Sequence, residues 1–236
     1  MPEWMPVVID RGEGAFVWDL DGNRYIEYGQ GLRSVTLGHA HPRVDAAAIQ
    51  QMKQGISFSR PARVELEAAD LFLDLIGADC VKFTKDGSSA TTAAVKLARA
   101  ATGRDVVAMC GDHPFMSQDD WFIGTTPMRA GIPEGIRELT VTFPYNDLAA
   151  LEAVLDEHQP ACVGMEAVRD ASDPTVYIRD AIEACRRRGV VFVLDEMITG
   201  FRWSERGAQG LFRLAPDLST FGKALANGHS VSALAG

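Results

Sequence analysis

Five apolar residues in a row, Val190-Val191-Phe192-Val193-Leu194, run directly into two acids, Asp195 and Glu196. A short continuous apolar run rich in β-branched residues predicts a strand buried on both faces, and such strands belong to parallel sheets covered by helices. Ligands of open α/β sheets gather at the carboxyl ends of the strands, which is where Asp195 falls. The chain then passes through Thr199-Gly200-Phe201-Arg202 to Phe221-Gly222-Lys223-Ala224. That distance is long enough to bring a lysine back over the same mouth.

A carboxylate and a lysine at one sheet mouth are the pair that pyridoxal 5'-phosphate (PLP) requires. The lysine amine forms a Schiff base with the aldehyde, and the carboxylate keeps the pyridine nitrogen protonated, so that the ring withdraws electrons from the substrate's α-carbon. The same residues also read as a turn-capping aspartate and a solvated surface lysine. This stretch alone leaves both readings open.

The order Asp195-Glu196-Met197-Ile198-Thr199-Gly200-Phe201-Arg202, then Ala215-Pro216-Asp217-Leu218-Ser219-Thr220-Phe221-Gly222-Lys223, resembles the class III aminotransferases, within them the branch of glutamate-1-semialdehyde aminomutase. The resemblance implies a fold type I α/β large domain, a mostly parallel sheet covered by helices, with an N-terminal β-ribbon. It implies PLP as cofactor and amino-group transfer, as transaminase or intramolecular aminomutase, on a small amino or keto acid or an amino-sugar-like substrate. Lys223 would carry the cofactor and shuttle the proton, Asp195 would hold the pyridinium, and Met197 would pack against the ring.

Composition narrows the alternatives. The chain has 236 residues, 47% of them hydrophobic and 23% charged, enough for one substantial domain with its own core. A net charge of −9 argues against nucleic acid or an anionic membrane as partner. No long apolar run occurs, and Pro2, Glu3 and Pro6 interrupt any leader pattern, so a cytoplasmic protein is expected. Cys80, Cys110, Cys162 and Cys185 are widely spaced and read as reduced thiols.

Before the signature stretch, Asp21-Gly22 between Phe16–Asp19 and Arg24–Tyr28 predicts a hairpin. His39 and His41 stand two apart before Pro42 with no further ligands nearby, and read as loop-packing residues. Helices are expected over about 42–54, 62–76, 147–158 and 175–188, and strands over 80–84, 106–110, 139–143 and 161–165. The Arg186-Arg187-Arg188 cluster reads as a solvated helix end favoured by the helix dipole. Residues 124–137, rich in Gly and Pro, read as an irregular surface segment.

Between strand 80–84 and a helix reaching Thr102 lies Lys85-Asp86-Gly87-Ser88-Ser89. A glycine-hydroxyl turn before a helix presents free N–H groups and a positive dipole end, which suits phosphate, but Ser also caps ordinary helices. The resemblance assigns Gly87, Ser88 and Ser89 to the cofactor phosphate, with Asp86 a departure, since a carboxylate there opposes a dianion. After strand 106–110, in Gly111-Asp112-His113-Pro114-Phe115, the family places a stacking tyrosine where this chain has Asp112. His113 or Phe115 is left to stack on the ring. Glu166 matches the acid of a family Glu-Pro turn. Arg33 and Arg202 read as structural arginines or, alternatively, anion contacts.

The resemblance divides the chain into a ribbon segment, 1–40, and a PLP-binding large domain, 41–236. Family members continue beyond the lysine into a small C-terminal domain. A homodimer or higher oligomer is therefore expected, with a small-molecule amino donor or acceptor as the other partner. The alternative is a non-catalytic subunit or fragment that needs another polypeptide for activity. With a stack and a phosphate contact missing, cofactor binding is expected to be weaker than in a complete member.

Overall fold

A computed structural model describes residues 6–113, 115–168 and 175–236. Pro2, Glu3 and Pro114, which enter the sequence analysis, lie outside the described residues. The chain opens on a three-stranded antiparallel ribbon, β1 (Ile9–Glu13), β2 (Phe16–Asp19) and β3 (Arg24–Ile26). One side chain ties the expected hairpin. Asp19 accepts hydrogen bonds from the Asp21 and Asn23 N–H groups, the Asn23 amide and the Tyr25 hydroxyl. β1 was not legible in the sequence and adds a third strand. His39 forms a backbone bridge with Gly14, and its ring nitrogen lies 3.1 Å from Glu27, so it packs the ribbon to the turn that follows.

After the turn α1 (Gln30–Arg33) come α2 (Pro42–Met52) and α3 (Arg63–Ile76). Strands and helices then alternate: β4 (Val81–Thr84), α4 (Gly87–Thr102), β5 (Val107–Cys110), short α5 (Asp120–Ile123) and α6 (Glu134–Arg137), β6 (Thr140–Phe143) and α7 (Leu148–His158). The second half holds β7 (Cys162–Glu166), α8 (Thr175–Arg187), β8 (Val191–Asp195), α9 (Gly207–Leu211), β9 (Leu218–Phe221), a 3-10 turn Lys223–Ala226 and β10 (Ser232–Ala235). The main sheet has seven strands in the order β4-β10-β9-β8-β7-β5-β6. From β6 to β9 all pairings are parallel, and β10 is inserted antiparallel between β9 and β4. The α/β, mostly parallel architecture is as the sequence predicts.

Helices cover both faces, which is why β8 reads as a continuous apolar run. On one face Leu151 and Leu155 of α7 and Ile178 and Cys185 of α8 meet Phe192 and Leu194. On the other, Ala94, Val95 and Ala98 of α4 meet Met109 and Val193. The small α4 residues bring that helix close to the sheet. Arg188 forks onto Asp156 of α7 at 2.7 and 3.0 Å, and Arg187 reaches Glu152 at 2.9 Å. The basic cluster is thus not merely solvated: it joins α8 to α7. Cys110, Cys162 and Cys185 are buried and form no disulfide among the described residues, with burial pushing the Cys162 thiol up to about 12, far from thiolate chemistry. Cys80 is exposed. Among the described residues no helix is long and apolar enough to cross a membrane.

A third cluster supports the lysine turn. Phe221, the last residue of β9, is fully buried and meets Phe72 of α3 edge-on, with ring centroids 5.3 Å apart. Phe201 packs on the same ring at 5.7 Å. Phe221→Ala should destabilise the chain by about 3–5 kcal/mol, the usual cost of removing a buried ring, whereas Phe221→Leu should cost clearly less. Urea unfolding at equilibrium checks this; equal losses for the two variants would mean that cavity volume is not what matters there.

Candidate active site

The parallel register brings the acids together without any loop rearrangement. Glu166 ends β7 directly opposite Asp195 at the end of β8, and Asp195 pairs in turn with Thr220 of β9. Asp195 is almost wholly buried. Its Oδ1 accepts from the Met197 N–H at 2.8 Å and from the Thr220 hydroxyl at 3.3 Å. Among the described residues its Oδ2 accepts no hydrogen bond. Burial, with Glu166 adding to it, raises the Asp195 carboxyl to about 7, against the pull of the Met197 N–H, Lys223 and Thr220.

Lys223 follows β9 by two residues and takes a left-handed backbone, φ 47°. Its amine is half-buried. Burial lowers its pKa, Arg33 and Arg202 lower it further, and Asp195 and Glu166 act the other way. The lysine and both acids therefore share one site with two arginines. The thioether of Met197 fills the gap between the start of α4 and the lysine turn: a Cβ on Gly87 would sit 3.0 Å from its sulfur and one on Gly222 only 2.6 Å. Gly87, Met197 and Lys223 are thus neighbours.

At the start of α4 the departure at Asp86 becomes concrete. Asp86 is the N-cap, accepting from the Ser89 N–H at 2.8 Å and the Ser89 hydroxyl at 2.9 Å. Ser89 is therefore committed to capping. The Ser88 hydroxyl oxygen accepts from the Gln118 N–H at 3.0 Å and keeps its own proton to donate. The first-turn N–H groups of Gly87 and Ser88 have no intrahelical acceptor. Both readings of this junction find a counterpart: Asp86 and Ser89 cap, while Gly87 and Ser88 retain donors.

Asp112, in the position of the family's stacking tyrosine, accepts from the Tyr145 N–H at 2.6 Å. His113 is buried, and its Nε2 accepts from the Glu166 N–H at 2.9 Å. When the ring is neutral, its proton therefore sits on Nδ1, 3.8 Å from the Glu166 carboxylate. Phe115 is half-exposed and rests edge-on against Phe122. Of the two stacking candidates, His113 is the one anchored to an acid of the mouth.

One residue of the site was not singled out in the sequence as functional. Glu196 is fully buried and accepts from the Thr199 hydroxyl and from the N–H groups of Ala208 at 3.0 Å and Gln209 at 2.7 Å. A Cβ at Gly207, φ 70°, would lie 2.5 Å from its Oε2. Glu196 therefore fixes the loop that returns from β8 to α9, which carries Thr199, Arg202 and Trp203. The only available sequence signal was the second acid of the Asp-Glu pair with a glycine ahead of α9.

Arg33, Glu166, Val168, Asp195, Thr199 and Trp203 border a cleft of about 190 Å³. A larger concavity, about 930 Å³, lies between α2 and α3, lined by Gln50, Gln51, Phe58 and Arg60. We place the active site at the smaller cleft, because the buried Asp195 and Glu166 that line it are the carboxylates whose charge acts on Lys223.

The Asp195 carboxyl makes a testable demand on the cofactor-free chain. Its folded pKa of about 7 exceeds the ordinary 3.8, so the folded state holds a proton that the unfolded state releases. That contribution is complete below pH 3.8 and is lost as pH rises through 7, on the order of 4 kcal/mol in all. Asp195→Asn should therefore stabilise the cofactor-free chain against urea at pH 8 and show no such gain near pH 4. An equal effect at both pH values would contradict the assignment.

The family-model comparison finds a match to aminotransferase class III over residues 2–236. The glutamate-1-semialdehyde 2,1-aminomutase of Anaeromyxobacter sp. (strain Fw109-5) is 36% identical over 247 residues, covering 98% of this chain and 57% of its own length. That of Chloroflexus aurantiacus is 35% identical over 250 residues, covering 98% and 56%. Among solved structures, an ω-transaminase from Sphaerobacter thermophilus matches with a TM-score of 0.91 at 26% identity, over 100% of this chain and 58% of its own. The FumI protein of Sphingopyxis sp. MTA144, solved in its PLP internal aldimine form, matches at 0.92 with 31% identity, over 100% and 58%. This chain thus spans a little over half the length of these relatives. It belongs to the class III aminotransferases.

Proposed function

We propose that this chain carries the cofactor site of a PLP-dependent enzyme that moves an amino group, as a transaminase or an intramolecular aminomutase, on a small amine or its carbonyl counterpart. The observation that carries this reading is Asp195, a buried carboxylate whose Oδ2 accepts no hydrogen bond among the described residues while Lys223 stands over the same mouth. A protonated pyridine nitrogen is the donor such an oxygen needs, so the residues present fit the cofactor. Met197 would lie against the ring, and the Gly87 and Ser88 N–H groups with the Ser88 hydroxyl would take the phosphate. When bound, PLP supplies an electron sink for the pair left on the substrate's α-carbon.

The chain's own contribution is positioning and proton transfer. Asp195, kept from water, would hold the pyridine nitrogen in its protonated form. Burial lowers the pKa of Lys223, so a larger share of its Nζ is the free amine that can bond the cofactor and then take a proton from the substrate carbon. Glu196 keeps the loop over the cleft in one arrangement. We further infer a cytoplasmic homodimer or higher oligomer, with residues 1–40 as ribbon segment and 41–236 as the cofactor-binding domain. Exposed Ile49, Met52, Ile56, Phe58, Val64, Leu66 and Leu71 around α2 and α3 support a covered face.

Reconstitution with PLP followed by borohydride should leave the cofactor mass on the peptide containing Lys223, and Lys223→Ala should abolish both that mass and the visible band. Light scattering on the same sample should give at least a dimer. A band that survives in Lys223→Ala overturns the lysine's role. A band that no amine bleaches favours the non-catalytic alternative.

Asp86→Asn separates capping from repulsion. Asparagine caps about as well as aspartate, so the helix start persists, while a negative charge beside the phosphate is removed. PLP should bind several-fold tighter to this variant than to the parent chain in a spectroscopic titration. An unchanged dissociation constant would mean that no phosphate sits at the start of α4.

A further inference from the structure

The lysine turn is held at both ends by strands but has little structure of its own. Between Phe221, which ends β9, and Ser232, which opens β10, lies the 3-10 turn Lys223–Ala226. Around it the Leu225 N–H donates to the Gly222 carbonyl at 3.0 Å and the Asn227 N–H to the Ala224 carbonyl at 3.4 Å. Turns of this kind have poor hydrogen-bond geometry and gain little stability by themselves. Lys223 at the head and Asn227 just past the tail both take a left-handed backbone, φ 47° and 46°. Lysine has no preference for that region, so its surroundings must enforce it.

Asn227 provides such an anchor. Its Oδ1 accepts from the Leu37 N–H at 2.8 Å, and its Nδ2 donates to the Gly38 carbonyl at 3.0 Å. One planar amide thus answers a donor and an acceptor of adjacent residues, as a neighbouring strand would. The segment it grips is itself fixed on the other side. His39 and Gly14 exchange backbone hydrogen bonds, both at 2.9 Å, and a Cβ on Gly38 would lie 3.0 Å from the Gly14 Cα. The His39 ring meets Glu27, and Glu27 accepts from the Gly31 N–H of α1 at 2.8 Å. That turn ends at Arg33, on the border of the cleft. A continuous line of contacts therefore runs from the lysine turn to the opposite rim of the site.

The other ties of the turn are weaker or further from the lysine. The His229 ring lies 3.4 Å from Asp45 across an exposed surface. The Ser230 hydroxyl donates to the Lys85 carbonyl at 2.8 Å, next to where β10 already fixes the chain. Asparagine is also an ordinary turn end in a left-handed backbone. That role needs no side-chain bond, and it leaves both amide contacts without a purpose.

We propose that Asn227 is a positioning residue for the Lys223 amine: it clamps the lysine turn to residues 37–38 and, through them, to the turn α1 at the rim of the cleft. This rests on the function proposed above and adds a residue to its site. Asn227 stands outside the cleft lining and acts through the backbone of the turn.

The test compares Asn227→Gly with the parent chain. Glycine accepts the left-handed backbone freely, so the fold should persist while both amide bonds are lost. Gln159→Gly is the matched control, the same change at φ 44° at the other end of the sheet. In the cofactor-free chain, amide exchange over 35–38 and 222–231 should quicken together, roughly tenfold or more, in Asn227→Gly alone. Competitive acetylation across pH, read by mass on the peptide containing Lys223, reports the amine itself. Burial lowers the Lys223 pKa, and a loosened turn admits water. The share of free amine near pH 8 should therefore fall roughly threefold or more in Asn227→Gly and stay unchanged in Gln159→Gly. Asn227→Asp keeps the acceptor for Leu37 but sets a carboxylate against the Gly38 carbonyl, and should reproduce the change. PLP should bind roughly fivefold more weakly to Asn227→Gly than to the parent chain.

Exchange that stays slow in Asn227→Gly overturns the proposal, because the clamp then does not operate in solution. Faster exchange with an unaltered Lys223 acetylation profile overturns it too, and leaves Asn227 a structural tie only. If the parent chain takes up no PLP, the function proposed above fails instead. The acetylation profile of the cofactor-free chain then still decides the role of Asn227.

Discussion

A carboxylate with two hydrogen bonds among the described residues, both on one oxygen, at the buried end of a strand is a poor arrangement for a chain that only has to fold. Asp195 loses its hydration, faces Glu166 across one strand spacing and leaves Oδ2 unanswered. Its neighbours soften this without removing it, since the Met197 N–H, the Thr220 hydroxyl and the Lys223 ammonium all favour the ionised form. The deficit is what a positively charged ligand group corrects. The core of the sheet, built from Phe192, Val193 and Leu194 and the helices on either side, holds the acid where water cannot relieve it.

The two acids of the Asp195-Glu196 pair divide their work by direction. Successive residues leaving a strand point to different sides. One therefore reaches the mouth and the other turns into the protein, where Glu196 gathers Thr199, Ala208 and Gln209. The buried charge of Glu196 is matched by donors from backbone and hydroxyl, so the loop that borders the cleft has the fixity of a core element. Gly207 is required at this point, because a side chain would occupy the space of the carboxylate.

The strand periodicities and the Asp195–Lys223 order were readable because each depends on residues near in sequence. The helix bounds near residues 147 and 102 were readable for the same reason, and the structure supplies their ends: Asp147 accepts from the Ala150 N–H, and Gly103 ends α4 with φ 68°. Asp86 was legible as an anion out of place, but not as the N-cap that engages Ser89. β10 was hidden because Ala233-Leu234-Ala235 has little strand propensity; pairing on both edges with β4 and β9 makes it a strand. The convergence of Arg33 with Arg202, and the link from Arg188 to Asp156, depend on tertiary distances that no local pattern encodes.

The position of β10 also orders events in time. β4 and β9 do not pair with each other; β4 joins the main sheet only through Ser232–Ala235, with Phe83 opposite Ala233. As the chain leaves the ribosome, β4 is made early and stays a strand without a partner while β5 to β9 assemble beside one another. Until β10 is made its edge is open to other chains, and the non-local closure that covers it is slow in the way long-range pairings are. The lysine turn lies between β9 and that strand, so the segment that fills the gap in the sheet is also the one that fixes the far end of the lysine turn.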